Sequence, residues 1–236
     1  MRIRIALALL PLLGCTRLPP LSVPPAIDPG VNLAAHLEHE RIVADRLPGG
    51  ARGVLEQPSW FRWGRAPTFV LQVDGQPAAY LWLTAPATVE VRTTSSPDAP
   101  VVGAVEPGWD DNAIRLTLRA GDAVFHTDTF ARTDVGGGPP VLSRIAQSVI
   151  DVRGTYRAPV RDAKNAEVGW LRVKVSPYQE ALRIFDGVVP AGVGASAAGA
   201  IAVALNSEVD WIESHTLDVY RGSDGGPLRQ SIPMGR

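Results

Sequence analysis

One stretch near the C-terminus constrains the fold of this chain more than any other. Residues 188–206 read Val-Val-Pro-Ala-Gly-Val-Gly-Ala-Ser-Ala-Ala-Gly-Ala-Ile-Ala-Val-Ala-Leu-Asn, and no charged residue lies between Asp186 and Glu208. A helix that is apolar on every side has no face for solvent, so it must be enclosed. The alanines favour helix, and Pro190 with the two glycines after it suits a helix beginning. We therefore predict an enclosed helix over about 193–213.

The preceding sequence has the alternating pattern of short β-strands. Residues 68–73 run into Asp74-Gly75, a dipeptide typical of two-residue hairpin turns, and 78–84 supply the returning strand. Residues 114–119 place apolar side chains on one face only. The same pattern predicts strands at 89–93, 101–105, 123–127, 155–160, 169–175 and 181–186, with a last one at 216–220.

Together these patterns predict a mainly β (α+β) fold, an antiparallel β-barrel or barrel-like sheet packed around the C-terminal helix. A single β-rich domain is expected over 59–221, with its joint at Gly136–Pro140 and a loose tail at 222–236. An alternative makes 188–205 a membrane span. Its length allows a span, but alanine and glycine give it little hydrophobic drive.

The N-terminal segment 31–58 is expected to be helical. Leu33, Leu37 and Val43 form a partial apolar stripe, and Pro48-Gly49-Gly50 would end the helix. His36 and His39 would then share one helix face. Two histidines at this spacing suit a metal, but zinc needs three or four protein ligands, so we interpret the face as solvated and expect no metal site.

Composition excludes some classes of function. The chain has 236 residues and a net charge of −1, which argues against a nucleic-acid surface. Hydrophobic residues make up 45% and charged residues 20%, as in an ordinary globular protein. There is one cysteine, so the core must form without disulfides.

That cysteine, Cys15, follows a basic start (Arg2 and Arg4) and the short apolar run 5–13. The run is too short to span a bilayer and is typical of a cleaved signal peptide over 1–14. The alternatives to a lipoprotein signal are an ordinary secretory signal or a chance apolar start. Leu12-Leu13-Gly14-Cys15 resembles the lipobox of bacterial lipoproteins. The resemblance implies that Cys15 is lipidated and becomes the mature N-terminus.

Residues 15–30 contain five prolines and predict an extended tether behind the lipid. The expected location is therefore the cell envelope, lipid-anchored at the periplasmic face or surface of the outer membrane. The expected partners are the membrane itself, through the N-terminal lipid, and an envelope protein, lipid or glycan.

A second resemblance covers 69–213. Arg161-Asp162, followed after five residues by Val168-Gly169 and later by the alanine-rich helix, is similar to the tubby-like barrel family, which includes tubby C-terminal domains, phospholipid scramblases and plant LURP-one proteins. It implies a barrel around a helix. No phosphoinositide-binding lysine cluster is visible, so no functional residue is carried over.

Six tryptophans stand out in a chain of this composition. Trp60, Phe61 and Trp63 lie just before the first clear strand and form a candidate recognition surface for glycan or protein. Packing in the core or at the barrel end is the alternative use of these side chains.

For catalysis, His126 lies near Asp128 and His215 near Asp218, and either histidine is a candidate base. A strand histidine is more often structural, so we assign no catalytic residue and expect no cofactor. The sequence favours a non-catalytic binding or scaffold protein of the envelope. The alternative is an envelope hydrolase that uses His126 or His215 with nearby acidic residues.

Overall fold

The computed structural model describes residues 27–38, 41–58, 66–84, 88–110, 113–133, 155–175 and 183–215; the side chains at 110, 113, 132 and 209–215 are not described. In this part of the chain there are thirteen strands and one α-helix. The strands are β1 (Leu33–Glu38), β2 (Arg41–Arg46), β3 (Gly53–Glu56), β4 (Phe69–Val73), β5 (Gln76–Thr84), β6 (Thr88–Arg92), β7 (Val101–Asp110), β8 (Ala113–Ala120), β9 (Ala123–Thr127), β10 (Ala131–Arg132), β11 (Thr155–Arg161), β12 (Glu167–Val175) and β13 (Arg183–Val188). The helix is α1 (Ala195–His215).

The strands form one antiparallel sheet that closes on itself. β1 to β9 pair in chain order, β9 also pairs with β11, and β11 to β13 lead back to β1. Twelve strands therefore form the closed barrel, while β10 pairs only with β11. Each of these twelve described strands is therefore paired on both sides, which is the usual protection of β-proteins against edge-to-edge association.

The helix α1 lies inside this barrel and packs against strands on opposite walls, β5 to β8 on one side and β13, β1 and β2 on the other. Residues 200–205 are at most 1% exposed. Successive residues are 100° apart around a helix axis, so six consecutive buried residues leave no solvent face. The predicted enclosure and the predicted barrel are both confirmed.

The need for small residues in α1 follows from the space available. A barrel of about eight strands is filled by its own side chains, and a wider one needs something else inside. Here Gly199 faces leucines from the wall: a Cβ added to it would lie 3.3 Å from Leu71 Cδ2 and 3.5 Å from Leu55 Cδ2. Large side chains on the strands and small side chains on the helix thus fill the interior together.

The predicted hairpins are confirmed where the structure describes them. β4 and β5 are joined by Asp74 and Gly75, both with positive φ (50° and 73°), as a two-residue turn between twisted strands requires. Gly121, with φ 57°, begins the turn between β8 and β9. The alternation read over 114–119 places Ile114, Leu116 and Leu118 in the core.

The predicted helical segment 31–58 is wrong. The chain there forms β1, β2 and β3, with a short 3-10 turn at Pro48–Gly50. Leu33 and Ala35 on β1 and Ile42 and Ala44 on β2 point inward and are at most 1% exposed. The period is therefore two and not 3.6, and the barrel begins at Leu33 instead of at residue 59.

Two further expectations fall outside the described residues. These are the joint at Gly136–Pro140 and the last strand at 216–220. Across the ranges given above, no helix combines the length and the mean hydropathy that crossing a bilayer requires.

Candidate functional site on the outer wall

A connected group of charged and aromatic side chains lies on the outside of the barrel, where β11, β12, β13 and β1 are neighbours. Strand alternation points Trp170, Arg172 and Lys174 of β12 away from the core, since Leu171 and Val173 between them are fully buried. The register places Arg172 opposite both Arg157 of β11 and Asp186 of β13. We call Arg157, Trp170, Arg172, Lys174, Asp186 and Asp28 the outer-wall cluster.

Arg172 is the centre of the outer-wall cluster. Its Nε donates to Asp186 Oδ1 at 2.7 Å, and its Nη2 lies 2.5 Å from Asp186 Oδ2 and 2.6 Å from Asp28 Oδ2. Asp186 raises the pKa of Arg172, and Arg172 lowers the pKa of the Asp28 carboxyl. Because Asp186 is only 7% exposed, this fork-shaped pairing is what makes its burial tolerable.

Trp170 adds an aromatic element to the outer-wall cluster. The guanidinium carbons of Arg157 and Arg172 lie 4.8 Å and 5.2 Å from the centre of its ring. Both distances suit cation–π attraction, which is worth about 0.5–1 kcal/mol at exposed sites. Trp170 thereby holds two cations of neighbouring strands close together, although like charges opposite each other in a sheet repel.

Beside the cluster, His36 of β1 is paired with Asp45 of β2. His36 Nδ1 lies 2.7 Å from Asp45 Oδ2. The register passes from Ala34 opposite Arg46 to Ala35 opposite Ala44, so Asp45 is the extra residue of a β-bulge. The hydrogen bond to Asp45 raises the pKa of His36, and partial burial opposes that effect.

A shallow cleft connects the two groups, and its lining includes Ile27, Asp45, Lys174, Ile184 and Asp186. Its volume of about 30 Å³ is enough for a water molecule or a group of similar size. The cleft suits a single small group reaching in from outside. A substrate-sized pocket is some tenfold larger.

Of the candidate bases, His126 lies on β9 opposite Thr117 and Arg161 and on the outer side of the wall, because its neighbours Phe125 and Thr127 point inward. Asp128 does not orient it. Both oxygens of Asp128 accept from Arg161 Nε, at 3.0 and 2.8 Å, and this pairing lowers the pKa of Asp128. His126 therefore acts on Asp128 only through its charge, and among the described residues no carboxylate is hydrogen-bonded to His126 as a catalytic base requires.

Several predicted residues cannot be placed. The side chain of His215, the lipidation residue Cys15 and the candidate recognition surface Trp60, Phe61 and Trp63 all lie outside what the structure describes, as does His39. These assignments stay predictions.

Where α1 approaches the end of the barrel, Glu208 is 6% exposed. Burial raises the pKa of its carboxyl, and a hydrogen bond from the Trp109 side chain opposes that shift. Nearby, Arg183 Nη1 donates to the Asn206 carbonyl at 3.2 Å. These contacts connect α1 to β7 and β13.

Sequence reasoning missed the outer-wall cluster and the His36–Asp45 pair. The available signal was the alternation Trp170-Leu171-Arg172-Val173-Lys174, which puts an aromatic and two cations on one face. Its partners come from β11, β13 and the chain before β1, so only the strand order brings them together.

Within the described ranges, no three His, Cys, Asp or Glu side chains come together in a way that would hold a metal ion. Comparisons with protein-family models, curated proteins and solved structures find no match to this chain.

Proposed function

We propose that the protein is a lipid-anchored component of the cell envelope that acts by binding or as a scaffold and not by catalysis. The observation that carries this proposal is the occupied interior: α1 fills the barrel, and residues 200–205 are at most 1% exposed. A barrel that binds a ligand in its interior keeps that interior free for it. Here the outer surface is left for partners.

The lipid anchor rests on the sequence around Cys15. A basic start, a short apolar run, a small residue and the sole cysteine of the chain coincide there. Lipidated cysteines of this type carry more than one acyl chain, and two chains are enough for stable membrane attachment. The location proposed is the periplasmic face or surface of the outer membrane.

Two further points support a binding role. A closed antiparallel barrel around an apolar helix is the architecture that the resemblance to the tubby-like family implies. Trp60, Phe61 and Trp63 remain the proposed recognition surface for an envelope protein or glycan, since clustered aromatic side chains often dominate binding energy.

The anchor is tested by Cys15→Ser in the full chain, expressed in a bacterium with labelled palmitate. We expect the native chain to incorporate label and to sediment with membranes, and the variant to lose the label and leave the membrane fraction. Ser196→Ala, which retains Cys15, is the matched control. Full membrane retention of the unlabelled variant would contradict the proposal.

A further inference from the structure

The described chain begins on the outer-wall cluster. Ile27 lines the cleft beside Lys174 and Ile184, and Asp28 is paired with Arg172. Asp28 follows Cys15 by 13 positions in the sequence. Any tether from a lipidated Cys15 therefore reaches the barrel at this wall.

The length of that connection limits which wall can meet the membrane. Thirteen residues span at most about 45 Å when fully extended. The opposite wall lies six strands away in the twelve-stranded barrel. With strands about 4.8 Å apart and tilted by about 40°, the path around to it takes about 30–40 Å. If the opposite wall faced the membrane, residues 15–28 would have to be almost fully extended. If the outer-wall cluster faces the membrane, the same residues are longer than the distance they must cover.

The charges of the outer-wall cluster fit an anionic surface. Arg172 is matched by Asp186 and Asp28. Arg157 is exposed and, among the described residues, forms no ion pair with a carboxylate. Lys174 lines the cleft together with Asp45 and Asp186, and its charge helps to lower the pKa of Asp28. The fold thus keeps three cations side by side, against their mutual repulsion, at the place where the tether arrives, and Arg157 is the exposed one of the three.

The same row of β12 also carries apolar and aromatic surface. Val168 is 36% exposed, and Trp170 is partly exposed beside it. Tryptophan together with arginine and lysine is the combination that settles at a membrane–water interface, where one part of the side chain is apolar and the other is wet.

We propose that the outer-wall cluster docks on the anionic phosphate headgroups of the membrane that holds the protein, with Arg157 and Lys174 as the cations that contact lipid. This inference rests on the proposed lipid anchoring at Cys15. It adds an orientation: the wall formed by β11 and β12 faces the bilayer, and the wall formed by β4 to β6 faces away from it.

The test is vesicle co-sedimentation of the full chain carrying Cys15→Ser, so that binding is read without the lipid. Vesicles of phosphatidylcholine alone are compared with vesicles containing about one-third phosphatidylglycerol. Each cation at an anionic surface strengthens binding about fivefold, so Arg157→Gln with Lys174→Gln should weaken binding to the anionic vesicles about 25-fold. Binding to neutral vesicles should not change.

The matched control is Arg52→Gln with Arg119→Gln, which removes the same charge from exposed positions on other walls. It should retain nearly full binding, and salt at about 1 M should abolish the difference between the two double variants. If both double variants lost the same amount of binding to anionic vesicles, the effect would depend only on net charge, and the proposal would be overturned. Equal binding of all variants, as expected if the cluster contacts an acidic protein instead, would also overturn it. A failure of the proposed lipid anchor is detected in a separate experiment, because the native chain would then be released from the membrane fraction.

Discussion

Replacing buried alanines of α1 with leucine tests the enclosure of the helix at two opposite faces. Ala200 and Ala202 are fully buried and lie about 160° apart around the helix axis. A helix packed on a surface has one face that tolerates leucine, because alanine and leucine have similar helix propensity. An enclosed helix has none. Both Ala200→Leu and Ala202→Leu are therefore expected to destabilise the protein.

The magnitude follows from the packing. Each leucine adds three carbon atoms where the wall is already in contact with the helix, and overpacking of this kind costs about 1–3 kcal/mol or more. For a domain of this size, each 1 kcal/mol lowers the melting temperature by about 2–4 °C. We expect each variant to melt about 2–12 °C below the native chain, as followed by circular dichroism, with a matching fall in the urea midpoint at unchanged m-value.

Ala191→Leu provides the matched control, since Ala191 is exposed in the turn before α1. It should change the free energy of unfolding by less than about 0.5 kcal/mol. If either buried variant behaves like Ala191→Leu, the corresponding face of the helix is open and the reasoning is refuted.

Two other predictions concern the wall. The pKa of His36 is raised in the folded state, so its pairing with Asp45 stabilises the fold fully below about pH 6.5, and this stabilisation is lost as the pH rises through the raised pKa. Asp45→Asn should therefore reduce the free energy of unfolding more at about pH 5.5 than at about pH 9. A loss of stability that does not depend on pH would contradict this prediction. Gly169→Ala should cost about 2–3 kcal/mol or more by urea denaturation, because the new Cβ would overlap the carbonyl oxygen of Val188. Gly194→Ala has open space around it and should cost less, about 1 kcal/mol, because alanine is a poorer helix N-cap than glycine. Equal effects of the two substitutions would show that the strand contact at Gly169 relaxes freely.

Much of the barrel could be predicted because its strands carry local signals. Asp74-Gly75 fixes one hairpin by its own backbone preference, and the apolar residues at 114, 116 and 118 mark an inward face without reference to any neighbour. The enclosed helix could also be predicted from its own residues, because a long, uncharged, alanine-rich segment favours a helix that has no face for solvent.

The first hairpin could not be read in the same way. On β1 and β2 the inward positions alternate between large residues, Leu33 and Ile42, and small ones, Ala35 and Ala44. Alanine has a high helix propensity, yet Ala35 and Ala44 lie on the inner face of the barrel. Most of the barrel strands pack against α1 on that face. The tertiary use of a small residue thus overrides its local preference.

The outer-wall cluster was invisible for a different reason. Arg172 and Asp186 are 14 residues apart, and Asp28 is 144 residues from Arg172. Nothing local pairs them. Arg172 meets Asp186 through the pairing of β12 with β13, and Asp28 joins them only because the sheet closes between β13 and β1, which no short motif encodes.

The enclosed helix is tested most directly by thiol labelling, because the chain has a single natural cysteine to remove. In a Cys15→Ser background, Ala200→Cys, Ala202→Cys and Ala191→Cys are each treated with a maleimide under native conditions. The account predicts rapid labelling at position 191, and at 200 and 202 labelling only after denaturant unfolds the protein. Rapid native labelling at either helix position would place that face in solvent and contradict a helix enclosed by the barrel.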